Sequence, residues 1–206
     1  KEILNVAPLG VVGFHPAKLP ANRGRHPIIW ALALGLRRTA SSFFFMDEGA
    51  DSGDIISQTN ISIDSDDNAR SLYDKVVSTA LQQIEEFLPK LVNQDFCRHR
   101  QDHQKSNIWR KRSRKDGVID WRMSARSIHN LIRALSKPYV GAEFRFNEVD
   151  HKVWKSEVVL GDFENIEPGK VLIIDDHSYL IVKCWDQAIK LIDIEPKLRV
   201  EKGTYL

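Results

Sequence analysis

Two side chains in this sequence are of types that act together on protons. His15 ends the apolar run 10–15 (GVVGFH), and Asp51 lies in the turn after the aromatic run 40–46. An imidazole gives and takes protons near neutral pH, and a neighbouring carboxylate favours the charged ring and fixes its orientation. Such a pair can perform general acid and base catalysis, with one ring taking a proton from a nucleophile and returning one to a leaving group. The two residues stand 36 positions apart, so the fold must bring them together.

The elements expected to do so are short. Residues 10–15, bounded by Gly and Pro, suit a buried strand ending at His15. Pro16, Pro20 and Pro27, with Asn22, Arg23 and Gly24 between them, make a rigid irregular loop, and Pro27 suits the first turn of a helix through Leu36. Loops at the carboxyl ends of strands are where α/β proteins bind ligands. Residues 40–46 read as a second strand able to lie beside the first, broken by residues 47–53, after which residues 54–63 alternate like a half-buried strand. Leu72, Val76, Ala80, Leu81, Ile84, Leu88 and Leu91 recur at helical spacing and predict a long scaffold helix over 67–92, which Pro89 kinks or ends.

The 206 residues are 42% hydrophobic and 28% charged, ordinary globular material with room for one good core and a second small one. A net charge of +2 is too mild to imply a nucleic-acid partner without local clustering. Cys97 and Cys184 are far apart and read as reduced, separate thiols, so a reducing cytoplasm is the expected location. No apolar run reaches the ~20 residues of a spanning helix, and a soluble protein is expected. Residues 1–8 read as the tail of an element already under way, with an upstream part expected.

Polar sequence over 94–116 reads as a connector. Beyond it, Ser124 caps a predicted helix with Ile128, Leu131, Ile132 and Leu135 on one face, and strand-like runs follow at 142–146, 152–160, 170–174, 179–184 and 188–194. One helix and about five strands suggest a small barrel. The expected domains are 1–108, a basic linker at 109–116, and 117–206.

Three blocks resemble the 10-formyltetrahydrofolate-dependent formyltransferases, the family of methionyl-tRNA formyltransferase and the amino-sugar-nucleotide N-formyltransferases. They are HPAKLPANRGRHP from His15, DEGADSGDI from Asp47, and DGVIDWRMSARSIHNLIRALSKPYVGAEF over 116–144. The resemblance implies an α/β fold: part of a Rossmann-like sheet with helices, then a small C-terminal OB-like β-barrel domain. It implies 10-formyltetrahydrofolate as co-substrate and a primary amine as acceptor. His15 and Asp51 match the family's catalytic histidine and aspartate. The family's third catalytic residue, an asparagine that steadies an oxyanion, falls on Gly13; loss of such a donor typically costs about 100- to 1,000-fold in rate. Protonated His15, a freed backbone N–H or an ordered water are the candidate replacements. Ala17, Lys18, Leu19 and Pro20, the turn Asp47, Glu48, Gly49, Ala50 and Asp51, and Arg25 match folate-side positions.

Other readings bound this one. Arg23 or Arg25 can pair with a carboxylate or phosphate, or form a structural ion pair. His26 reads as a loop residue. Asp47, Glu48 and Asp54 beside Asp51 resemble a cation cluster, but acids in a Gly-rich turn are more often turn formers, and no metal is assigned. The run Arg110, Lys111, Arg112, Arg114 and Lys115 beside Trp109 can touch tRNA phosphates or be a solvated linker. Trp30, Trp121 and Trp154 read as core. RGRHP followed by Trp30 leans the acceptor toward an amino-sugar nucleotide, with methionyl-tRNA second. Formyltetrahydrofolate hydrolysis and folate binding without chemistry are the remaining classes.

Overall fold

A computed structural model describes Leu4, residues 7–175 and residues 179–206. The expected opening element at 1–8 falls mainly outside these. The chain divides into two compact units, one of Lys1–Ala31, Leu36–Asp66 and Ser71–Arg112, the other of Leu32–Gly35, Asp67–Arg70 and Ser113–Leu206.

The first unit is built on a three-stranded sheet of β1 (Val12–His15), β3 (Arg38–Phe45) and β4 (Ile55–Ser62), in the order β1-β3-β4 with antiparallel neighbours. β3 is central and buried from Thr39 onward, as its RTASSFFF sequence requires. Its register sets Gly13 opposite Phe44 and His15 opposite Ser42. Helix α1 (Pro27–Ala33) stops three residues short of the expected end. Gly35, at φ +66°, closes it, with its N–H donating to Leu32 O and the Leu36 N–H to Ala31 O.

Helix α2 (Ala69–Val92) continues through Pro89. Leu72 and Val76 are buried as expected, whereas Leu81 and Leu88 face solvent. Gln83 takes the inner position. Its amide donates to Ser41 O at 3.3 Å and Ser57 Oγ at 2.8 Å, bonds that a leucine could not make. Phe87 lies 4.9 Å from the Phe43 ring, which lies 4.9 Å from Phe14.

The polar stretch expected as a connector is tied into this unit. β5 (Ile108–Trp109) pairs in parallel with β2 (Arg23–Gly24), and His99 bridges Ile55. Gly24 permits that pairing, since a Cβ there would lie 2.4 Å from Trp109 O.

In the second unit, Ser124 Oγ accepts the Ser127 N–H at 3.1 Å and caps α3 (Ala125–Leu135), whose apolar face packs on the sheet. That sheet consists of β6 (Ala142–Phe146), β7 (Val149–Val159), β8 (Val171–Asp175), β9 (Tyr179–Lys183) and β10 (Ala188–Glu195), ordered β6-β7-β10-β9-β8. The expected barrel is not closed. Irregular segments occupy the two edges that would have to meet. Ile119 donates to Glu143 O on β6, and Val171 of β8 exchanges bonds with Gly203 and Thr204.

Burial, reinforced by Arg133 and Arg126, pushes His129 below its ordinary value of 6.5. The folded chain therefore binds this proton less readily than the unfolded chain, so stability is lost as pH falls below 6.5 toward the lowered folded value. His129→Gln is expected to flatten that acid-side loss in urea unfolding followed from pH 7 to 5.

Candidate active site

His15 and Asp51 come together at the end of β1. His15 is 4% exposed, and its two ring nitrogens have different partners. Nε2 lies 2.7 Å from the backbone oxygen of Asn22; a carbonyl only accepts, so Nε2 carries a proton. Nδ1 faces Asp51 Oδ2 at 3.6 Å, close enough for an ion pair and too long for a hydrogen bond. The same Asp51 oxygen accepts the Gly24 N–H at 2.8 Å. Asp51 is the more open partner, with 22% of its side chain exposed.

Asp51 sits at φ +53°, in the left-handed region that aspartate tolerates better than most residues. The turn around it is pinned locally. Asp47 Oδ1 accepts from the Gly49 N–H at 2.9 Å and Ser52 Oγ at 2.6 Å, so Asp47 acts as a turn former here. Gly53 is forced, because a Cβ would fall 1.7 Å from Phe45 O. Glu48, Gly49 and Ala50 are exposed at the tip. Among the described residues, no group of three or more His, Cys, Asp or Glu is placed to hold a metal ion.

The proline loop is fastened from the sheet. Ser42 Oγ donates to Ala17 O at 2.6 Å, and the Gln58 amide donates to Leu19 O at 3.0 Å and to Ser42 Oγ at 3.0 Å. Ala17 and Leu19 are buried, Pro20 is half-buried and Lys18 is exposed. Sequence reasoning missed Ser42 and Gln58, although both lie on strands it identified; their polarity in buried strands was the available signal.

The two loop arginines part company. Arg23 is 5% exposed, and its guanidinium donates to Gln101 Oε1 at 2.6 and 3.2 Å, with His103 Nδ1 at 3.2 Å. Arg25 is exposed. Burial, then Arg112, Arg25 and Lys111, holds His26 below its ordinary value. Trp30 is half-buried rather than core. Arg112 lies 4.6 Å and Arg110 5.3 Å from its ring, and its Nε1–H donates to Arg110 O at 3.1 Å. Trp154 is also half-buried and donates to Glu195, whereas Trp121 is buried against Phe144. Arg114, expected with the basic run, is committed to Glu143 and Asp150 at 2.5 Å each. In the second unit, a cavity of about 590 Å³ lined by Leu180, Leu191, Asp193, Lys197 and Arg199 includes none of the expected site residues.

Residues 1–88 match the formyl transferase family, and residues 111–201 match the formyl transferase C-terminal domain. A methionyl-tRNA formyltransferase of Caldanaerobacter subterraneus subsp. tengcongensis is 35% identical over 195 residues, 95% of this chain and 62% of the relative. The chain belongs to the formyl transferase family. It spans 62% of the length of the curated relatives it matches. Two solved structures share the fold. The N-formyltransferase of Helicobacter canadensis, in complex with folinic acid and dTDP-3-aminofucose, has a TM-score of 0.69 at 20% identity, covering 88% of this chain and 65% of that one. The sugar 3N-formyl transferase WlaRD, with dTDP and 5-N-formyl-THF, has a TM-score of 0.69 at 24% identity, covering 91% and 66%.

In this member of the family, Gly13 is not simply a missing side chain. A Cβ at position 13 would stand 2.9 Å from Phe44 Cζ and 2.9 Å from Met46 Cγ. The cross-strand Phe44 ring lies over the glycine and, with Met46, fills the space an asparagine would enter. Gly13→Asn is therefore expected to destabilise the fold by about 1–3 kcal/mol through overpacking, measured by urea unfolding. In a double-mutant cycle with Phe44→Leu, a favourable coupling above about 0.5 kcal/mol is expected.

Proposed function

We propose that the protein moves a formyl group from 10-formyltetrahydrofolate to a primary amine. The observation that carries this reading is the His15–Asp51 geometry. Nε2–H is held by Asn22 O, so proton exchange is left to Nδ1, the nitrogen facing Asp51. The amine attacks the formyl carbon, a tetrahedral oxyanion forms, and the bond to folate N10 breaks. His15 removes the proton that the amine loses and returns one to N10 as it leaves. Asp51 orients the ring and balances its charge while it holds that proton. With position 13 packed by Phe44 and Met46, the proton on His15 is also the donor we assign to the oxyanion. Ala17, Lys18, Leu19 and Pro20, with the turn from Asp47 to Asp51, are the proposed folate contacts.

The proposed domains are a catalytic portion over 1–108, a linker over 109–116, and a C-terminal domain over 117–206. The exposed Arg25, among the cations that depress His26, supports an acceptor bearing phosphate, and an amino-sugar nucleotide is our first reading. Methionyl-tRNA is the second, favoured by the 35% identity to an enzyme of that name. Among the described residues no helix is long and apolar enough to cross a membrane. The free thiols, Cys97 exposed and Cys184 buried, support a reducing cytoplasm.

Full-length protein given 10-formyltetrahydrofolate and either acceptor class is expected to yield a formylated amine detectable by mass spectrometry. His15→Ala is expected to lower kcat about 100- to 10,000-fold with folate affinity nearly unchanged. An unchanged rate would overturn this mechanism, and folate binding without transfer to any acceptor would leave a binding protein.

A further inference from the structure

Gln101 lies outside both matched regions, in the polar stretch between residues 88 and 111. Gln101 is 4% exposed there, and its side-chain amide spans the site. Its nitrogen donates to Asp51 O at 2.9 Å and Gly53 O at 2.6 Å, while its oxygen accepts twice from the Arg23 guanidinium. Both donors and both acceptor positions of the amide are therefore in use.

What those bonds join matters more than their number. Arg23 lies between Asn22, whose carbonyl holds His15 Nε2, and Gly24, whose N–H holds the Asp51 carboxylate. The opposite side of the amide holds the Asp51 main chain itself, at its left-handed φ. Gln101 thus grips both ends of the Gly24–Asp51 contact, and through Arg23 the segment that anchors the imidazole. The 3.6 Å between Nδ1 and Oδ2 has no hydrogen bond of its own to preserve it. The surrounding backbone must set that distance. β5 supports the same segment, with Arg23 N–H donating to Asn107 O and Arg25 N–H to Trp109 O.

We propose that Gln101 is a positioning residue for the proton-transfer pair, fixing Asp51 relative to His15 through Arg23. The inference rests on the formyl-transfer reading of that pair. Neither glutamate nor leucine can replace the amide. Ionised glutamate still accepts from Arg23 but donates nothing to Asp51 or Gly53, whereas leucine makes none of the four bonds and leaves the buried guanidinium only His103 Nδ1 at 3.2 Å. Glutamate is therefore the variant expected to fold.

The test compares Gln101→Glu, Gln101→Leu and His15→Ala in the full-length protein, by steady-state formyl transfer across pH and by ¹⁵N NMR of the histidine rings. Gln101→Glu is expected to lower kcat about 10- to 100-fold, the order of loss from a misplacement near 1 Å. Any rise in KM should be smaller than the loss in kcat, because Gln101 itself touches no substrate, although the Asp51 turn it holds is among the proposed folate contacts. The kcat–pH profile and the His15 ring ¹⁵N shifts should both move. Wild-type kcat, pH profile and ring shifts in Gln101→Glu, with His15→Ala inactive, would overturn the positioning role. Transfer surviving in His15→Ala would overturn the reading of the pair instead, so the two failures are distinguishable. If Gln101→Leu does not fold, the ring shifts of Gln101→Glu still decide the matter without any turnover.

Discussion

Three consecutive residues, Asn22, Arg23 and Gly24, carry the geometry on which the candidate site depends. The Asn22 carbonyl fixes one nitrogen of His15, the Gly24 N–H fixes one oxygen of Asp51, and the Arg23 side chain between them is buried against Gln101. Main-chain groups serve this purpose well because they have no rotamers to lose, so the proton-bearing side chains are oriented at little conformational cost. The arrangement requires the tripeptide to be immobile. A loop of three prolines does not achieve that alone, and the parallel pairing of β2 with β5 supplies the rest.

The same economy shapes the sheet beneath the loop. β3 presents Ser42 to the Ala17 carbonyl and Phe44 to the surface of Gly13. One residue braces the loop and the other fills the space at Gly13, two positions apart on the strand. The position where relatives are expected to carry an amide is thus an apolar contact in this chain. In the proposed formyl transfer, that leaves oxyanion stabilisation to His15 and makes the Nδ1–Oδ2 approach the quantity to preserve.

In the second unit, carboxylates and cations are used for architecture. Burial pushes Glu143 up, but hydrogen bonds from Arg114 and Lys152 outweigh it and hold the carboxyl below its ordinary range. Arg114 also holds Asp150, so a residue that reads as part of a basic run in sequence is neutralised in the fold. The open five-stranded sheet follows from the same local competition. Residues 118–119 and 203–206 pair with its edges, and edges already paired do not join each other.

Local pattern carried much of this protein. The short strand ending at His15, the aromatic β3, the Ser124 cap and the Gly-rich turn at Asp51 were legible because each is set by neighbours within a few residues. The proximity of His15 and Asp51 followed from laying two apolar runs side by side, and the motif resemblance pointed to the same pair. Tertiary structure alone decided which imidazole nitrogen faces the carboxylate, that Phe44 occupies the space at Gly13, and that Arg23 is buried while Arg25 is exposed. It also decided that Gln83 rather than Leu81 seats α2, and that a glutamine in a polar stretch grips the Asp51 turn. Apart from the His15–Asn22 bond, those outcomes depend on hydrogen bonds and packing between residues about 30 to 80 positions apart. Such contacts impose no period on the chain, so a buried polar partner reads in sequence like any solvated one.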